Sequence, residues 1–138
     1  MKKPILISLC WAAASLCGIQ AQVLVIANAG TKAVEVSKND LHDLFTGASS
    51  SLKDGSHVTV VILKQGAVND EFLSLYVNKS DAAFRAGWRS LLFSGQALMP
   101  KVMESEAAMV DYVAHTPGAI GYIAKATPHD GVKTLTVR

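Results

Sequence analysis

A chain of 138 residues with 13 basic and 11 acidic side chains and two cysteines lacks the one-sided charge of a nucleic-acid binder and the cysteine density of a stapled secreted scaffold. Both cysteines and two of the lysines precede Gln22. The remainder therefore carries eleven charges of each sign and no thiol, which argues against nucleic acid, an anionic membrane surface and cysteine chemistry alike.

The first segment explains that asymmetry. Lys2 and Lys3 precede an apolar stretch from Ile5 to Leu16, too short to span a bilayer, and Ile19-Gln20-Ala21 ends in a small residue. This is the pattern of a cleaved export signal, so residues 1–21 read as a signal peptide and 22–138 as one exported domain with a periplasmic destination. A lipoprotein anchor at Cys10 or Cys17 competes with this reading, but Leu9 and Leu16 stand where a small residue is needed.

Val23 to Ala27 (VLVIA) is a continuous aliphatic run before Asn28-Ala29-Gly30, the signature of a strand buried on both faces. Ser37 with Asp40 has capping-box spacing, Leu41, Leu44 and Phe45 fall on one helical face, and Gly47 is a natural stop. A polar loop through Asp54-Gly55 leads to a second strand, Val58 to Leu63. Helical spacing resumes from Val68 to Val77, and Ser80 caps a further helix carrying Phe84, Trp88, Leu91 and Leu92 on one face, closed by Gly95. After a loop holding Pro100, Glu104 to His115 reads as a helix with acids in its first turn, ended by Pro117-Gly118. Ala119 to Ala124 and Val132 to Val137 are the last strands. Helices separating strands predict an α/β domain around a partly parallel sheet.

Three of these blocks match a known pattern. Val36 to Gly47 (VSKNDLHDLFTG) resembles the helix ending in Phe-x-Gly of phosphate ABC-transporter substrate-binding proteins. Phe84 to Gly95 (FRAGWRSLLFSG) is similar to a block of short, single-lobe relatives, and Thr116 to Tyr122 (TPGAIGY) resembles the family's turn and strand. Together they span most of the chain after Ala21, in the family's order. The resemblance implies one lobe of a type II periplasmic binding protein: a three-layer α/β/α sandwich with a mostly parallel mixed sheet. It also implies no enzymatic activity, no cofactor, phosphate or another small oxoanion as ligand, and a membrane transporter as partner. In the relatives two lobes close on the anion, and the turn after the middle strand reads roughly Arg-x-x-x-Ser-Gly-Thr. Here Leu63 to Asn69 (LKQGAVN) keeps a basic residue, Lys64, and a glycine, Gly66, but neither hydroxyl. The matching turn of the other lobe has no counterpart in this chain.

The residues themselves also suggest an anion site. A glycine after a strand lets a ligand approach the backbone, and the first amides of the next helix lack internal partners. The helix dipole favours negative charge there, so Lys64, Gln65, Gly66 and Ala67 form the candidate site. An ordinary strand-to-helix turn with a solvated lysine is the competing and commoner reading. Asn28, Gly30 and Thr31 follow the first strand and are expected beside that turn, because ligands of open α/β sheets gather at the carboxyl ends of strands. Arg85 and Arg89 read as a solvated helix face, with an acidic partner as the alternative. His42, His57, His115 and His129 show no metal-ligand spacing, and Glu104 and Glu106 are accounted for by the helix dipole.

Two functions follow. One is a substrate-binding-like protein holding a small oxoanion for a transporter. The other is a ligand-free single lobe that docks on an envelope transporter, sensor or porin, or on itself, through surface that a second lobe would cover.

Overall fold

The computed structural model describes residues 22–138, so the segment read as an export signal lies outside the described residues. In chain order the elements are β1 (Val23–Asn28), β2 (Glu35–Val36), α1 (Lys38–Thr46), β3 (Thr59–Leu63) and α2 (Ala67–Phe72). A single π-helical stretch, Leu73–Val77, continues α2. Then come α3 (Asp81–Phe93), β4 (Lys101–Met103), α4 (Glu106–His115), β5 (Ala119–Ala124) and β6 (Val132–Val137).

Local chemistry sets the helix boundaries. The hydroxyls of Ser37, Ser80 and Ser105 each accept from the backbone N–H three residues on, at 3.0, 3.2 and 3.1 Å. Each bond satisfies one of the unpaired donors at a helix start. Gly47 and Gly95 end α1 and α3. The cap at Ser105 shortens the helix expected from Glu104, leaving that acid outside it.

The sheet has six strands in the order β2-β6-β1-β5-β3-β4. β5 pairs parallel with β3, β3 with β4, and β6 with β2, while β1 pairs antiparallel with both β5 and β6. Five strands thus run one way, and β1 runs against them between β6 and β5. This is the expected α/β fold with a mixed, mostly parallel sheet. Of the two edge strands, β4 falls in the loop expected around Pro100, and β2 is a strand for which the sequence carries no expectation. The link from β5 to β6, residues 125–131, must return along the length of β1. Seven extended residues suffice for that, and the link runs beside α4, where Gly131 lies near Ala114.

Adjacent strand residues point to opposite faces, and β5 shows what covers each. The ring of Tyr122 stacks on Phe72 of α2 with centroids 3.8 Å apart, and Phe45 of α1 meets both edge-on. Gly121, one residue earlier, faces α4: a Cβ there would collide with the sulfur of Met109. So α4 covers one face, and α1, α2 and α3 cover the other. Trp88 of α3 ties that layer together by donating its indole N–H to the carbonyl of Phe45, at 2.8 Å. The aliphatic runs of β1, β3 and β5 are buried between the layers, as strands covered on both faces require.

Candidate anion site

β3 and β4 run parallel and end at the same rim, so the helices that follow them, α2 and α4, both start there. Between the two starts lies an open groove of about 280 Å³, lined by Leu63 to Asn69 and by Glu104, Ser105 and Glu106. Lys64, Gln65, Gly66 and Ala67 are all exposed along it. Gly66 stands at the N-cap of α2 and provides no side-chain cap. A Cβ built on it would meet nothing within 4 Å. Its backbone is extended, so the fold does not require glycine here, and the absent side chain leaves the approach to the next amides open.

The acids on the other wall differ in character. Glu106, though it lines the groove, is engaged structurally: its Oε1 accepts from the Ala124 N–H at 2.6 Å and from the Thr127 hydroxyl at 2.7 Å. Dipole compensation alone does not describe it, since it fastens the end of β5 to the start of α4. Glu104 is exposed.

Beneath the groove is a ring of hydrogen bonds that sequence reading missed. Both backbone groups of Leu63, on the side away from β4, are held by side chains: its N–H donates to the Tyr122 hydroxyl at 3.0 Å, and its carbonyl accepts from Arg85 Nη2 at 3.0 Å. The Tyr122 hydroxyl donates to Asn69 Oδ1 at 2.5 Å, and Asn69 Nδ2 donates to Asp81 Oδ1 at 2.7 Å. Arg85 Nε closes the ring on both Asp81 oxygens at 3.0 Å. Burial pushes the Tyr122 phenol well above its ordinary value, opposed by the bond from Leu63, so the group remains a donor. Asn69 is 1% exposed. Arg85 is therefore not the solvated residue its spacing to Arg89 suggested. The available signal was Asp81, four residues before it, together with a tyrosine in an otherwise aliphatic buried strand, whose hydroxyl needs a partner.

Asn28, Gly30 and Thr31 do not join this site. Because β1 runs against β3, its carboxyl end lies at the opposite edge: Ala27 aligns with Ile120 of β5, which aligns with Val60 near the start of β3. The expectation that the two turns adjoin is corrected by that reversal. At its own rim Asn28 is occupied structurally. Its amide donates to the carbonyls of Val113 and Ala114 at the end of α4, at 2.9 and 3.2 Å, and its Oδ1 accepts from the Gly30 N–H at 2.9 Å. Lys133 Nζ donates to the Thr31 carbonyl at 2.9 Å. These residues line a separate hollow of about 230 Å³ with His57, Pro117 and Gly118.

Among the described residues no group of three or more His, Cys, Asp or Glu side chains is placed to hold a metal ion. No described helix is long and apolar enough to cross a membrane.

This fold is similar to that of one lobe of solved transporter substrate-binding proteins. A protein from Clostridium perfringens, described as a phosphate ABC transporter substrate-binding protein with bound phosphate, superposes with a TM-score of 0.66 at 16% identity, covering 84% of this chain and 44% of its own. PstS from Borrelia burgdorferi gives 0.63 at 15% identity, covering 85% and 47%. An ABC-type phosphate transport receptor from Vibrio cholerae gives 0.57 at 16%, covering 84% and 46%. The chain thus spans less than half the length of these structures, and the shared property is the fold. No protein-family model and no curated protein matches the sequence.

Proposed function

We propose that the protein is an exported, non-enzymatic, substrate-binding-like lobe that holds phosphate or another small oxoanion at the Lys64–Ala67 turn in the service of a membrane transporter. Export would use residues 1–21 as a cleaved signal and place residues 22–138 in the periplasm. The observation that carries the reading is the start of α2, which has no side-chain cap and leaves Gly66 and Ala67 exposed directly after β3 and Lys64, in a fold shared with a protein solved with bound phosphate. Amides at such a helix start point at a ligand, and the local dipole favours an anion. The groove is open to water on one side, which keeps the electrostatic gain small and the expected affinity weak.

Phosphate titration followed by thermal unfolding tests this. At ten times Kd, ligand linkage adds about 1.4 kcal/mol, which at about 4 °C per kcal/mol raises Tm by about 6 °C. Lys64→Ala should remove most of the rise. An equal rise with chloride at matched ionic strength, or none with phosphate, sulfate or arsenate, refutes the reading.

A second reading, a single-lobe interaction module that docks through an apolar face, is favoured by one observation. Phe93 and Leu98, at the end of α3 and in the following loop, are 85% and 83% exposed, and Leu92, Met99 and Val102 are also exposed. Large apolar side chains exposed within one short stretch of chain, residues 92–102, are the kind of surface a partner covers. Sedimentation of the wild type beside a Phe93→Ser/Leu98→Ser variant tests for self-association. Identical monomers in both remove a second copy as the partner.

A further inference from the structure

Every donor and acceptor in the ring under the groove has its direction fixed. A backbone N–H and a guanidinium can only donate, and a carboxylate can only accept. The Leu63 N–H therefore makes the Tyr122 oxygen an acceptor, which sends the phenol proton to Asn69 Oδ1. The Asn69 amide group is then left for Asp81, and Arg85 spans from Asp81 back to the Leu63 carbonyl. The circuit admits one arrangement and ties four elements together: β5 through Tyr122, α3 through Asp81 and Arg85, α2 through Asn69, and β3 through Leu63. Asn69 is the third residue of α2, and Leu63 is the residue before Lys64. The two ends of the candidate anion turn are thus both anchored, while Lys64, Gln65, Gly66 and Ala67 between them are exposed.

We propose that Tyr122, Asn69, Asp81 and Arg85 are positioning residues for the anion turn: the ring holds the first turn of α2 so that the Ala67 and Val68 amides face the groove. None of the four belongs to the exposed Lys64–Ala67 site, and the proposal rests on the reading of that turn as an anion site. A fixed set of donors binds an anion without first having to be ordered, which is where affinity is lost when such a turn is loose.

The test is a phosphate titration of the purified protein at 20 °C, followed through the 15N-resolved amides of Ala67 and Val68. The variants are Tyr122→Phe, which changes no charge, Arg85→Lys, which keeps the charge but not the fork, and Arg89→Gln, an exposed control one turn along α3. The expected result is a Kd raised at least fivefold by Tyr122→Phe and about threefold by Arg85→Lys, with Arg89→Gln within 1.5-fold of wild type. In phosphate-free buffer the two ring variants should also shift or broaden the amides of Leu63 and Ala67 to Asp70 more than that of Leu135 in β6. If Tyr122→Phe does not fold at 20 °C, Arg85→Lys carries the test. A wild type that titrates together with ring variants of unchanged Kd overturns the positioning role while the anion site stands. A wild type whose amides ignore phosphate overturns the anion site, and unmoved amides in the phosphate-free variants overturn the positioning role by themselves.

Discussion

Removing one oxygen atom, by Tyr122→Phe, should cost this domain a disproportionate share of its stability. The hydroxyl is fully enclosed and serves two partners, the Leu63 N–H at 3.0 Å and Asn69 Oδ1 at 2.5 Å. Without it neither partner has another donor or acceptor in reach, and water cannot replace it without opening the stack of Phe72 on Tyr122. A buried polar group left unpaired costs about 1–3 kcal/mol, and two such groups cost about 2–4 kcal/mol once partial relaxation is allowed. A described domain of this size loses about 4 °C of Tm per kcal/mol, so the expected fall is about 8–16 °C. Tyr76→Phe is the matched control, since that half-buried ring also packs on Phe72 but takes no part in the ring of hydrogen bonds; it should move Tm by less than about 2 °C. The assay is thermal unfolding by circular dichroism, with urea melts to confirm that the m-value is unchanged. A Tyr122→Phe variant within 2 °C of wild type would refute the claim that the hydroxyl bridges two buried groups.

Two further outcomes follow from geometry already described. Gly118 has φ +79°, and a Cβ on it would stand 2.9 Å from the His57 carbonyl oxygen, so Gly118→Ala should lower stability by about 2 kcal/mol or more in a urea melt; an unchanged midpoint would contradict it. Burial raises the Tyr122 phenol above its ordinary value, so the folded state keeps a proton that the unfolded chain releases. Stability should therefore be full below about pH 10 and fall above it by up to about 1.4 kcal/mol per pH unit. Absorbance at 295 nm should show this phenolate appearing only together with cooperative unfolding, and its smooth ionisation in a folded protein would count against the burial.

The parts of this fold that were legible in the sequence are those decided within a few residues. Ser37 and Ser80 announce their helices because a capping hydroxyl reaches only three residues along the chain. The run from Ala119 to Ala124 reads as a buried strand because nearly every side chain in it is apolar. The misses lie at longer range. Lys101–Met103 becomes a strand only because β3 offers it an edge to pair with, and three residues after a proline carry no period of their own. The direction of β1 could not be read, since VLVIA is equally apolar in either sense and the neighbours of a strand are chosen by the whole chain. That single unknown misplaced Asn28, Gly30 and Thr31 by the length of the sheet. The turn at Lys64 was found because glycine and lysine after an aliphatic run form a local signal. The ring below it was not, because its members come from four elements and meet only in space.

The reversed strand also has a practical consequence. Since β1 enters where β6 leaves, Val23 and Val137 lie at the edge where α2 and α4 begin. A fluorophore attached at Gln22 or Arg138 would therefore stand at the same rim as the groove whose occupancy is to be measured. The tight bend around Asp54-Gly55, on the far side of the sheet with β3 still to follow, is where a reporter can be inserted without shadowing it.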